Sequence, residues 1–327
     1  MKRAREKALS FLPSSWRKRT KEPKVKSANK ARPGGLRRKF GFNVLLILPL
    51  QVVLNFVLIV PFALAIYLSL TDWSPITGTW YTSPIIGVQN YVSILSTLRF
   101  QQAIFNTLVI VGGAVTLEFT IGLALALAFF SWDFRGKSVF ASVFLVPMMV
   151  IPAISGFTFQ TIFSTQGALN DVLSRLYGTT VAVDWLHVPS SALLAVILAD
   201  VWQWTPFMFL LMYAGMTALP SDPLRAARVM GASERQIFRT IMLPMLRPII
   251  TIALIIRSLE AFKIFDVPFI MTQGGPGTTT ETISIFLYKF AIQFARVAWA
   301  SAGAIVIFIA IVIVTFWASK PLLPKAE

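Results

Sequence analysis

Six long apolar runs alternate with polar segments along the chain, near residues 42–70, 103–130, 139–163, 190–218, 249–270 and 297–318. Several exceed the ~18 apolar residues that a bilayer-spanning helix requires. Backbone groups in lipid must be satisfied within the segment, so each run predicts a helix. The predicted fold class is an all-α membrane protein with six transmembrane helices. The first run is longer than a bilayer needs and contains Pro49 and Pro61, which predicts a tilt or a kink. Between the runs, residues 71–102 carry Trp73, Trp80, Tyr81 and Tyr91, side chains suited to a membrane–water interface. A short helix is predicted around Asn170–Tyr177. Residues 271–296 open on Thr272-Gln273-Gly274-Gly275-Pro276-Gly277, which cannot stay helical. No repeat of 20–50 residues is visible.

The 327 residues are 56% hydrophobic and 13% charged, too apolar for a soluble domain of this size. Cysteine is absent, which excludes disulfide, thiolate and zinc–sulfur chemistry in this chain. A net charge of +16 would suit nucleic acid, but its distribution argues against that partner. Residues 1–41 hold 15 Lys/Arg and two Glu and are broken by Pro13, Pro23, Pro33 and Gly34-Gly35. They read as a basic, disordered tail attracted to anionic membrane lipid, with 4–18 as a candidate surface helix, and not as a cleavable signal peptide. Lys/Arg counts also orient the spans. The tail, the 131–138 connection, residues 221–248 and the C-terminal end carry 24 of the 30, against four on the other side. Both termini and the 221–248 loop are therefore expected in the cytoplasm. The domain plan is a tail over 1–41, a six-helix membrane domain over 42–318 and a cytoplasmic end over 319–327.

Residues 221–248, SDPLRAARVMGASERQIFRTIMLPMLRP, form the longest polar segment between two apolar runs. Asp222 is a suitable N-cap and Pro223 fits the first helical position. Gly231 suits a left-handed helix stop, and Ser233 with Gln236 has the spacing of a capping box. Pro244 and Pro248 are expected to kink or end the second helix before the fifth apolar run.

That fifth run carries Arg257, Glu260, Lys263 and Asp266, alternating in sign at three-residue steps. Residues i and i+3 are neighbours on a helix, so each charge can meet an opposite one. Unpaired at mid-membrane, such a charge costs about 2.5–3.5 kcal/mol on insertion scales. Two readings follow, an intrahelical ion ladder or a helix lining a polar pathway. Asp200, followed by Trp202-Gln203-Trp204 in the fourth run, is expected on the same pathway or paired with Arg257 or Lys263. Glu118 in the second run is a weaker candidate. Other chemistry is missing. Gly136-Lys137-Ser138 resembles the end of a phosphate-binding loop, but Ser131 stands where the leading glycine belongs. A lone His187 makes no metal site. No catalytic cluster or metal set is predicted, and no cofactor is expected on this chain.

Two groups of residues carry a family resemblance. Ala226-Ala227, Gly231-Ala232, Ile241 and Leu243-Pro244 resemble the "EAA" loop by which membrane subunits of ATP-binding-cassette importers dock on a separate ATPase. Arg225 stands at the loop's first Glu, and Met230 where an acidic residue is usual. Arg257, Ala261-Phe262-Lys263, Phe265-Asp266, Gly274-Gly275-Pro276 and Thr280-Glu281-Thr282 resemble the carbohydrate branch, the MalF-like permeases. The likeness covers about residues 42–318. It implies the transmembrane domain of a type I importer in a bacterial or archaeal plasma membrane, carrying a sugar, oligosaccharide or polyol solute. The implied partners are a second, related permease subunit, an ATPase dimer that holds ATP and magnesium, and an extracytoplasmic solute-binding protein. The implied coupling residues are Asp222, Arg225, Ala226, Ala227, Gly231, Ala232, Leu243 and Pro244. The candidate pathway residues are Asp200, Trp202, Arg257, Glu260, Lys263 and Asp266. The alternatives are an ion-coupled secondary transporter, which usually shows repeats, and a membrane enzyme, which needs a catalytic cluster.

Overall fold

The protein is described from a computed structural model covering residues 34–320. The predicted surface helix at 4–18 and most of the basic tail lie outside the described residues. Helix α1 spans Gly34–Ser69, eight residues ahead of its expected start, and runs unbroken through Pro49 and Pro61. The chain divides at Val60/Pro61 into two units. Of the first unit, the side chains from Ile47 to Val60 are all exposed.

The second unit is helical throughout, with no named strand among the described residues. After the end of α1 come α2 (Gln89–Leu95), α3 (Leu98–Ser131), α4 (Lys137–Phe144), α5 (Val146–Met149), α6 (Pro152–Ile162) and α7 (Ala168–Tyr177). There follow α8 (Pro189–Thr217), α9 (Ser221–Val229), α10 (Glu234–Ile237), α11 (Leu243–Phe262), α12 (Asp266–Thr272), α13 (Ile283–Tyr288) and α14 (Val297–Ser319). Among the described residues five helices, α1 included, are long and apolar enough to cross a membrane, and a bent pair makes the count six.

That bent pair corrects the reading of 139–163 as one simple span. Residues 137–149 and 152–162 meet at an angle of 92°. Val150 and Ile151 are extended there, and Pro152 opens α6 with the fixed φ that suits a first helical turn. The fifth span is also interrupted. Helix α11 stops at Phe262, and the chain turns helical again only at Asp266.

Helix α8 is the axis of the bundle; 61% of its most apolar stretch is buried. It lies closest to α3, where a Cβ on Gly122 would stand 2.7 Å from Met208 Cβ and 2.8 Å from the Phe209 nitrogen. Only glycine permits that approach. Along the seam Ala126, Met208, Phe209 and Met212 bury against Leu246, Ala253 and Ala261 of α11. In a membrane the association of helices rests on such close packing, since lipid is as apolar as the side chains.

The 221–248 segment has the expected helix–turn–helix, with its start corrected. Helix α9 begins at Ser221 with Pro220 as N-cap, so Asp222 lies in the first turn and makes no side-chain cap. The C-terminal stop is a Schellman motif. Gly231 has φ +82°, its N–H donates to Arg228 O, and the Ala232 N–H donates to Ala227 O at 3.0 Å. Ser233 and Gln236 form the capping box. Pro244 and Pro248 do not end the next helix. A π turn over Phe238–Met242 precedes Pro244, and the helical rod continues from Glu234 to Phe262. The widened turn lies where proline's missing N–H would interrupt an α-helical ladder.

Candidate functional site

Arg257, Glu118 and Asp200 meet in the middle of the bundle. They come from α11, α3 and α8, and all three side chains are at least 97% buried. Arg257 Nε and Nη2 donate to the two Glu118 oxygens at 2.7 and 2.8 Å, and Nη2 also donates to Asp200 Oδ2. The planar guanidinium matches a carboxylate fork, which a lysine could not. Trp204 covers its face, with the ring centroid 4.9 Å from Cζ. A buried arginine thus has acceptors on two other helices and ties three spans together.

This geometry corrects the alternating ladder. Arg257 does not turn to Glu260 but reaches across the bundle. Lys263 pairs with Glu260 at 2.9 Å, and both are substantially exposed. Asp266 is not its partner, because the helix ends between them and the three-residue spacing no longer puts the two on one face. Glu118, the weaker candidate, is one of the two carboxylates that the arginine needs. Trp202 is half-exposed and packs edge-on against Phe159, so the tryptophan at the charge centre is Trp204.

Beside the centre lies a cavity of about 240 Å³. Asp200, Arg257, Glu260, Lys263 and Asp266 all line it, so five of the six expected pathway residues share one space. Both helix breaks open onto it, through Pro152 on one side and Lys263–Asp266 on the other. Gln203 joins them. Its Nε2 donates to the Val150 carbonyl freed at the first break (2.8 Å), while its buried Oε1 has no partner. The second break is held by Thr282, whose hydroxyl donates to Ile264 O at 3.0 Å.

A second charge centre escaped the sequence reading. Glu281 is buried and accepts from Arg99 Nε (2.7 Å), Arg99 Nη2 (2.8 Å) and Lys289 Nζ (2.9 Å). Burial alone would push this carboxyl up, but its bonds to Arg99 and Lys289 outweigh that and hold it below the usual carboxylate range. Asn106 Nδ2 adds a bond to Thr278 O at 2.6 Å. The residues after α12 are thereby pinned to α3. The three partners lie 182 and 8 residues apart, so no local spacing announces them.

In the 221–248 segment Leu224, Ala227 and Ile237 bury against Met242 and Leu246 of the rod. Asp222, Arg225, Ala226, Gly231 and Pro244 stay exposed, with Ala232 and Leu243 half-buried. Val229 and Met230 stand out at 89% and 80% exposure. Arg228 bridges the turn to Glu234 at 2.8 Å, and that hydrogen bond holds the Glu234 carboxyl low. His187 pairs with Asp184 at 2.7 Å on an exposed loop, and no metal-binding group occurs among the described residues.

A family profile described as "Binding-protein-dependent transport system inner membrane component" matches residues 118–326. The trehalose/maltose transport system permease protein MalF of Thermococcus litoralis is 36% identical over 66% of this chain and 76% of its own length. The trehalose transport system permease protein SugA of Mycobacterium tuberculosis is 31% identical over 90% of this chain and 93% of its own. A bacterial alginate ABC transporter, crystallised with its alginate pentasaccharide-bound periplasmic protein, contains a chain that superimposes with a TM-score of 0.73. It is 21% identical, over 88% of this chain and 96% of that one. At that identity the superposition bears on fold alone; the sequence relatives bear on family. This chain belongs to the inner-membrane component family of binding-protein-dependent transport systems, as a permease of the ABC importers that carry carbohydrates.

Proposed function

We propose that the chain is one of two related permease subunits that enclose a sugar pathway, with ATP and magnesium held by a separate ATPase dimer. The 221–248 segment faces the cytoplasm with both termini and docks on that dimer, and an extracytoplasmic solute-binding protein delivers the sugar at the opposite end. The membrane is a bacterial or archaeal plasma membrane. The observation that carries this reading is the build of the 221–248 segment. Its helix stop, cap and buried face are all satisfied internally, yet Ala226, Val229 and Met230 are exposed and none of the described residues covers them. An ordered turn with an uncovered apolar edge suits a protein partner. Arg225 adds a positive charge beside it, so a docking cleft on the ATPase needs shape and an acidic rim.

In this scheme the cavity beside Arg257 belongs to the pathway, lined by Asp200, Glu260, Lys263 and Asp266. Trp202 has no place in it. ATP acts by binding one of two transporter states better, which shifts their populations. Ion coupling is poorly served, because Arg257 already engages both fully buried membrane carboxylates, Glu118 and Asp200. The test is sugar uptake by cells carrying the complete importer. Uptake that survives collapse of the proton gradient and stops when ATP is depleted is the expected result. The reverse pattern would replace this reading with a secondary transporter.

A further inference from the structure

A larger cavity, of about 640 Å³, plays no part in the site described above. It lies at the far ends of α6 and α12, against the loop that leads into α8. Helix α8 gives the scale. His187, beside this cavity, precedes α8, and Gln203, beside the other, lies 14 residues into it. At 1.5 Å per residue the two cavities are about 20 Å apart. The larger one is on the side away from the 221–248 segment, because the chain passes the smaller cavity first on its way from α11 through α12.

Its chemistry is that of a hydroxyl-binding site. Gln160 and Gln273 offer neutral donors and acceptors above a buried Phe163, and the Thr161 and Ser164 hydroxyls, whose protons go to Phe157 O and Thr161 O, offer acceptors. No lysine or arginine lines it. The single carboxylate, Asp184, is 2.7 Å from His187 Nδ1. In the neutral imidazole that contact places the proton on Nδ1 and leaves Nε2 free to accept a hydroxyl. Its volume falls within the range of small-molecule sites.

Gln273 adds an independent observation. It caps α12 at φ +52°, ψ +27°, a left-handed conformation that glycine adopts at least cost, and Gly274 follows it directly. A side chain stands where the backbone favours none, and Gln273 lines the cavity. Strain of this kind concentrates at functional positions.

We propose that this cavity is an outer sugar station, which takes a neutral saccharide through its hydroxyls before the sugar reaches the charged cavity near Arg257. Gln273 and His187 are its specificity-determining residues, and acidic sugars are disfavoured because the one charged lining group is a carboxylate. The inference rests on the carbohydrate permease reading and on the orientation proposed above.

The chain's lack of cysteine makes the test direct. Thr161→Cys is introduced into the complete importer in lipid nanodiscs, and maleimide labelling of this subunit is followed with maltose, trehalose or an oligouronate present. Maltose or trehalose should slow labelling at least threefold, the oligouronate should not, and Thr79→Cys on an exposed loop should be unaffected. Gln273→Gly fits the left-handed backbone, so it should keep the melting temperature while abolishing protection by sugar. His187→Ala should weaken that protection. Uptake of the same sugars by the unlabelled importer separates the two readings. Uptake without protection overturns the outer station and leaves the permease reading intact. Absence of both overturns both for these sugars. Protection by the binding protein without sugar assigns the cavity to a loop of that protein and overturns the proposal.

Discussion

The two buried charge centres solve the same problem with opposite compositions. At mid-bundle, one arginine serves two carboxylates, Glu118 and Asp200. At the far end, one carboxylate, Glu281, serves two cations, Arg99 and Lys289. The first is closed to solvent on all three members. The second is open at Arg99, whose side chain is 36% exposed. Enclosure and not charge count sets what each centre contributes. A charge stranded in the first, 97% or more buried, can be reached only through the cavity beside it; one stranded in the second is rescued more readily by solvent at Arg99.

The largest effect is therefore expected at mid-bundle. Arg257→Met leaves two uncompensated carboxylates among three helices and should destabilise by about 3–5 kcal/mol. Membrane level and thermal unfolding of the purified subunit in detergent would read this. Adding Glu118→Gln and Asp200→Asn should restore much of the loss, because the stranded charges go with their partner. A triple variant no better than Arg257→Met would mean that the centre acts through shape and not through charge.

Glu281→Gln is expected to be milder, about 1–3 kcal/mol and nearer the lower figure, since Arg99 can rehydrate. This centre also carries a pH signature. The folded state holds the Glu281 carboxyl below its unfolded value. Its contribution is therefore complete above the ordinary glutamate range near ~4.3 and is lost as pH falls through the lower folded value. Thermal unfolding scanned downward from pH 6 should show this acid-side loss in the parent and a smaller one in Glu281→Gln. Identical acid limbs would refute the assignment.

A local change is expected at Gly231. A Cβ there meets nothing within 4 Å, so Gly231→Val is opposed only by φ +82°. A β-branched residue is a strong outlier in that region. The turn should distort while the spans remain in place, giving normal membrane level with uptake reduced tenfold or more. Normal uptake at normal level would separate this turn from coupling. The smallest effect belongs to the exposed Glu260–Lys263 pair. Lys263→Ala should change stability by less than ~1 kcal/mol, and Lys263→Ala with Asp266→Ala should be additive. A coupling energy above that between Lys263 and Asp266 would restore the pairing that the helix break removes.

Much of this was legible in the sequence where neighbours along the chain decide the outcome. Gly231, Ser233 and Gln236 announce their turn because the partners lie within a few residues. The apolar runs announce the spans for the same reason. Legibility failed where partners come from distant segments. Arg257 has Glu260 at a suitable helical spacing, yet Glu118, 139 positions away, offers a two-pronged match without exposure to solvent. Glu281 stands out only within Thr280-Glu281-Thr282, and no spacing points from it to Arg99 or Lys289. Prolines misled in both directions. Pro244 and Pro248 are expected to kink or end a helix that in fact continues past them, with a π turn just ahead of Pro244, while Pro152 marks a right-angle bend inside an apparently simple span. The choice of tryptophan failed because residues 202 and 204 face different neighbours, and hydropathy does not record which.

The helical rod from Glu234 to Phe262 has one end at the capped turn and the other at the break beside Lys263. Over 29 residues it is about 43 Å long. Pivoted at one end, a rod of that length converts a tilt of about 5° into a displacement of about 4 Å at the other, comparable to the width of a sugar ring. Small angular differences between two transporter states would thus suffice to admit or expel a solute, and the α-helical ladder of the shaft is interrupted at the π turn over Phe238–Met242 and again at Pro248.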